Sequence, residues 1–119
     1  MNADLRKKIV DMVTTAGEGH IHSSFSILDI IAIIYEKSLK FNSKNPDWDE
    51  RDCFILSKGH GGAALFVVLE KHGFITQKDL ELYSTEEGIL GGHPDRTKVP
   101  GAEASTGSLG HGLPFAMGT

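Results

Sequence analysis

Four short stretches, GEGHIH, SKGHGG, LGGHPD and SLGHG, each carry a histidine directly after a glycine. They hold His20, His60, His93 and His111, four of the six histidines in a chain that has 14 glycines among 119 residues. Composition alone would place about 0.7 such pairs in a chain of this size. Glycine lets the backbone turn sharply and lets a ligand approach it closely. A neighbouring histidine supplies a donor, an acceptor or a proton near neutral pH. A site facing phosphates and sugar hydroxyls uses both properties.

SKGHGGAALF is the most legible of the four stretches. It reads as a strand end, a glycine turn and a helix N-terminus, where free N–H groups and the positive dipole end favour an anion. His60 at that turn can add a hydrogen bond to a phosphate oxygen. Other chemistries fit less well. His20 and His22 could begin a metal shell, with His60, His93 or His111 completing it. Such a pair normally ends a β-strand, however, and TTAGEG is a poor strand. There is no H-E-x-x-H, no second cysteine, no G-x-S-x-G and no Walker A loop. GSLGHG is glycine-spaced, but no strand precedes it, and no G-x-G-x-x-G stands between a strand and a helix. No metal ligand is expected in this chain.

The elements that position these loops follow from periodicity. Leu5, Ile9, Met12 and Val13 fall at helical spacing and predict an amphipathic helix over 4–15. TTAGEGHIHSS interrupts it. Ser26 followed by Asp29 reads as an N-cap and predicts a second helix over 27–39. Its apolar residues cover more than one face, so it is expected to be largely buried. CFILS, residues 53–57, reads as a buried parallel strand, with Cys53 inside it. AALFVVLEKH predicts a third helix closed by Gly73, and Thr76 starts a fourth over 77–84. Residues 85–107 show no periodicity, and an irregular stretch that long in a compact domain is usually functional or disordered. Gly107 to Thr119 reads as a glycine turn entering a helix. A lone strand cannot satisfy its own backbone groups, so its partners are expected outside these residues.

Composition excludes several classes. A net charge of −4 lacks the basic footprint of a nucleic-acid binder. The longest apolar run, near 27–35, is broken by Asp29 and too short to span a bilayer. MNADLRKKIV lacks the apolar stretch of a signal peptide, and one cysteine cannot form an internal disulfide. A cytoplasmic protein is expected.

GEGHIHSSFSILDI, RDCFILSKGHGGAALFVVL, LGGHPD and EASTGSLGHGLPFAMG stand in the order and rough spacing of the transketolase N-terminal domain. The chain resembles that family over essentially its whole length, most closely the bacterial split form, in which this domain is its own subunit. The resemblance implies an α/β thiamine-diphosphate-binding fold, a parallel sheet flanked by helices, of which this piece is helix-rich with one strand. It implies an enzyme that moves a two-carbon ketol unit between sugar phosphates, using thiamine diphosphate and Mg2+ or another divalent cation. Carried over position by position, His60 matches the histidine that contacts the diphosphate. Gly107, Ser108 and Leu109 match the turn that lines the aminopyrimidine side. His20 matches a histidine near the reacting carbon, and His93 one that binds a donor-sugar hydroxyl. His22 stands where the family usually has glycine, Gly62 where it has serine or alanine, and His111 where it has glutamine or histidine.

The family's Gly-Asp-Gly metal and diphosphate motif is absent from this chain. The resemblance therefore implies a partial domain over 1–119, cut before that motif and inactive alone. It also implies a partner, a C-terminal subunit carrying the pyrimidine-binding module and its activating glutamate, in a dimer of such pairs. A deoxyxylulose-phosphate-synthase-like enzyme ranks lower, because that family's turn is serine-rich where this chain has STGSLGHG. A non-catalytic interaction remnant is the alternative outside enzymes.

Overall fold

Every residue from Gly62 to Leu69 is buried in the computed structural model, which describes residues 2–119. A helix apolar on all sides must have neighbours on all sides. The described chain has five α-helices: α1 (Ala3–Ala16), α2 (Ile21–Lys37), α3 (Gly62–Lys71), α4 (Gln77–Glu81) and α5 (Gly112–Gly118). A single 3-10 turn, Gly59–Gly61, leads directly into α3. Helix α3 packs against α1, α2 and α4, and the 3-10 turn packs against α2.

The α1 face made by Leu5, Ile9, Met12 and Val13 is buried, as its spacing predicts. Polar ties hold the helices in register. Lys8 reaches Glu70 at 2.8 Å, linking α1 to α3. Arg6 reaches Asp29 at 2.7 Å and lies 5.1 Å over the Phe25 ring, linking α1 to α2. Helix α3 ends in a Schellman motif: Phe74 N donates to Leu69 O, Gly73 N donates to Glu70 O, and Gly73 takes φ +89. The motif turns Phe74 into an aromatic cluster with Tyr35 and Phe41. Burial of the Tyr35 ring, with Glu103 nearby, pushes its phenol well above the usual tyrosine range. Thr76 caps α4 reciprocally, its hydroxyl accepting from Asp79 N while Thr76 N donates to the Asp79 carboxylate.

Four expectations change. Helix α2 begins at Ile21, six residues before the expected start, with His20 in extended geometry as its N-cap. Ser26 lies inside the helix, where its hydroxyl donates to Ser23 O rather than capping. Helix α2 also exposes Ile30 and Ile33, at 58% and 50%, so its broad apolar character does not mean burial all round. The fourth helix stops at Glu81 rather than residue 84, because Ser84 takes φ +60, outside the helical region. Residues 53–57 form no strand. Among the described residues no segment pairs with them, and an extended stretch without a ladder partner is not a sheet. Within that stretch Leu56 is buried but Cys53 is exposed, so the cysteine is not a core residue.

Candidate functional site

The 3-10 turn that carries His60 is held on two sides: by backbone at Gly59, where only glycine fits, and by the end of a side chain at Gly61. A Cβ at Gly59 would stand 2.4 Å from Thr106 O and 2.8 Å from Gly107 N. A Cβ at Gly61 would meet Ile27 Cδ1 at 2.6 Å. The turn thus sits between the first turns of α2 and the segment 106–107. A third close approach joins the same region: a Cβ at Gly112 would lie 2.6 Å from Ser57 Cα, and Gly112 N donates to Ser57 Oγ at 3.1 Å.

His20 arrives from the other side of the clamp. Gly19 takes φ +131, and a Cβ there would meet Val13 Cγ2 at 2.9 Å and the Tyr83 hydroxyl at 3.0 Å. Ser84 Oγ donates to the Glu18 carboxylate, which pins the loop one residue earlier. The outcome is a ring pair: His20 and His60 lie edge to face, centroids 5.6 Å apart at 84°.

His93 comes from the irregular stretch. Gly107 packs on its ring, and a Cβ there would lie 3.7 Å from His93 Cδ2 and 4.0 Å from Nε2. The loop after His93 is wound by Asp95, whose Oδ1 accepts from Thr97 N at 2.9 Å and Thr97 Oγ1 at 2.6 Å. These bonds hold the Asp95 carboxyl below the usual range. Arg96 N donates to Ser105 Oγ at 2.9 Å, fastening that loop to the segment before Gly107.

Three of the four Gly-His loops therefore converge with the 106–107 segment. Gly107, Ser108 and Leu109 are exposed beside them, Leu109 at 74%. His111 is exposed at the N-cap of α5 and shares no ring contact with the other three histidines. His22 is exposed in the first turn of α2. Gly62 backs onto Pro94 Cδ and Gly92 O, at 3.2 and 3.6 Å from a Cβ there, so a larger residue would press on the His93 loop.

Two residues missed by pattern reading belong to this region. Lys58 extends its ammonium to Ser23 O at 3.2 Å and Ser26 Oγ at 2.7 Å. Thr106 is buried with its hydroxyl unpaired. A buried polar atom without a partner asks for an explanation, and this one immediately precedes Gly107. The only sequence signal for either was position: Lys58 is two residues before His60, and Thr106 one before Gly107.

The electrostatics favour an anion. Partial burial lowers the pKa of the His60 ring below the ordinary histidine value, and Lys58, His20 and His93 lower it further. The charged neighbours acting on His60 are thus all cationic when protonated. Among the described residues, no group of three His, Cys, Asp or Glu side chains stands close enough to hold a metal ion. No helix among them is long and apolar enough to cross a membrane.

Residues 1–119 match the family model described as the transketolase, thiamine diphosphate binding domain. The chain belongs to this family. Transketolase from Leishmania mexicana superposes with a TM-score of 0.87 at 32% identity, covering 96% of this chain and 17% of that one. One of the subunits of the apulose-4-phosphate transketolase of Phocaeicola vulgatus is 39% identical over 95% of this chain and 40% of its own length. A Rhodococcoides fascians protein named ferredoxin fas2 is 46% identical over 85% of this chain and 33% of its own length. The chain thus spans two-fifths or less of the length of each of these proteins.

The site fits the family's cofactor on its own geometry. Gly59, Gly61 and Gly112 are buried at close approaches of the chain, which seats the His60 turn and the start of α5 against their neighbours. Thr106 adds a buried hydroxyl without a partner, and the His60 turn presents a helix N-terminus with cationic neighbours.

Proposed function

We propose that this chain forms one wall of a thiamine diphosphate site in an enzyme that transfers a two-carbon ketol unit between sugar phosphates. The observation that carries the reading is the convergence of His20, His60 and His93 on the 106–107 segment, within a domain of the transketolase family. His60 and the backbone of its turn receive the diphosphate. Gly107, Ser108 and Leu109 lie along the aminopyrimidine side. When bound, the cofactor supplies the carbon chemistry that carries the two-carbon unit, and the protein binds, orients and moves protons. His20 hydrogen-bonds substrate and shifts a proton near the reacting carbon. His93 holds a donor-sugar hydroxyl. A depressed His60 pKa suits a ring that must hydrogen-bond without carrying a second, repelling charge beside Lys58.

The divalent cation and the activating acid are supplied by polypeptide outside these 119 residues, since this sequence has no Gly-Asp-Gly. The partner is a C-terminal transketolase subunit, in a dimer of such pairs, in the cytoplasm; the naming of relatives as transketolase subunits supports a partner of this kind. Ferredoxin chemistry is not part of the proposal. Cys53 is the sole cysteine, and a cluster held by four thiolates cannot be built from it.

The test uses this chain with its downstream sequence and the partner subunit, assayed for ketol transfer and for cofactor binding. His60→Ala should weaken thiamine diphosphate binding roughly 10- to 100-fold, the cost of a charged hydrogen bond. His20→Ala should chiefly lower kcat and leave cofactor affinity intact. Unchanged cofactor affinity in His60→Ala removes the anchor of the proposed site. The 119-residue chain alone should bind thiamine diphosphate more weakly than micromolar.

A further inference from the structure

Lys58 leaves the His60 turn and reaches across to α2. Its Nζ donates to Ser23 O at 3.2 Å and to Ser26 Oγ at 2.7 Å. Ser26 Oγ donates in turn to the same Ser23 carbonyl at 2.9 Å. Three polar groups thus close a ring over the first turns of α2, just past its N-cap, His20.

This is an unfavourable place for an ammonium. A helix N-terminus carries partial positive charge and disfavours a cation. Lysine also gives up much side-chain entropy when held in one geometry. Local rules are broken mostly where function requires it. The consequence lies in what Lys58 connects: one end is two residues from His60, and the other is on the helix that His20 caps.

We propose that Lys58 is a positioning residue for the histidine pair, tying the His60 turn to the His20 end of α2 and so setting the edge-to-face approach of the two rings. The inference rests on His20 and His60 being site residues, as proposed above, but the tie itself is a matter of geometry. Lys58 acts through the two histidines rather than on substrate. Its charge has a second effect. The groups acting on the His60 charge are Lys58, His20 and His93, with no acid among them, so the ammonium helps keep His60 neutral.

The experiment is NMR of the histidine rings in the full chain, comparing wild type with Lys58→Met, Lys58→Arg and Ser26→Ala. Lys58→Met keeps the apolar stem and removes both the bonds and the charge. It should abolish the His20–His60 ring cross-peaks and raise the His60 titration midpoint. Ser26→Ala removes one acceptor and leaves the charge, so it should weaken the cross-peaks and leave the midpoint near wild type. Lys58→Arg should keep the low midpoint while altering the cross-peaks. A purely structural lysine would not move the His60 midpoint separately from the ring contact. Wild-type cross-peaks and midpoint in Lys58→Met overturn the proposal. If Lys58→Met fails to fold by circular dichroism, unchanged cross-peaks in Ser26→Ala overturn it instead. Titrating wild type with thiamine diphosphate separates the two readings. Rings that respond to Lys58→Met in a chain blind to the cofactor support the tie and sink the site. Cofactor binding with rings indifferent to Lys58→Met does the reverse.

Discussion

Gly59→Ala should be among the most damaging single-methyl additions in the chain. The new Cβ would lie 2.4 Å from Thr106 O, 2.5 Å from Thr106 C and 2.8 Å from Gly107 N. All three are backbone atoms, so no side chain can swing aside. Overpacking a core with flexible neighbours costs about 1–3 kcal/mol. A clash against backbone belongs at the top of that range, about 3 kcal/mol, because either the His60 turn or the 106–107 segment must move. For a chain of this size, about 3 kcal/mol lowers Tm by roughly 10 °C. Gly92→Ala is the control, since a Cβ there meets nothing within 4 Å. It should stay within about 0.5 kcal/mol of wild type, as surface substitutions usually do. The assay is thermal and urea unfolding of both variants alongside wild type. A Gly59→Ala protein as stable as Gly92→Ala would refute the packing of the two loops, and with it the convergence on which the site depends.

Three further outcomes are expected. Thr76→Ala removes the reciprocal cap of α4 and should cost about 1 kcal/mol in urea unfolding. Acid should destabilise the chain through the histidine range. His60 and His72 both have pKa values lowered chiefly by burial, so below their unfolded value near 6.5 the unfolded state binds more protons; stability present above that pH is lost as pH falls, and unfolding midpoints in urea should track it. Cys53 is exposed, yet desolvation and the neighbouring Glu103 carboxylate raise its thiol pKa against the opposing pull of Arg51; its alkylation rate should rise only at higher pH than that of a free thiol, and Glu103→Gln should bring the profile down.

Much of the scaffold was legible because its signals are local. The α1 stripe of Leu5, Ile9, Met12 and Val13, the Gly73 terminus of α3 and the Thr76 cap each depend on residues within one or two turns. The start of α2 was not legible. HIHSSFS contains weak helix formers, and its helical state owes more to packing on α3 and the 3-10 turn than to propensity. The expected strand at 53–57 shows the opposite failure: an apolar run can look like a strand, but a strand exists only when another segment pairs with it. For the site, the Gly-His loops stood out as a set, and close approaches account for two of their glycines, Gly19 and Gly59. Which loops meet is a tertiary fact. His111 has the same local signature as the others and does not share their ring contacts, whereas Lys58 and Thr106 carry no signature and lie at the centre.

The most direct test of the site is an amide NMR titration of the 119-residue chain with thiamine diphosphate to millimolar concentration. The chain should bind weakly, with shifts concentrated at residues 59–62 and 106–109 and at the His60 ring. Shifts confined to the groove between α1 and α4 lined by Lys8, Asp11, Gln77 and Glu81, a cavity of about 120 Å³, would contradict the account, as would no shift at all.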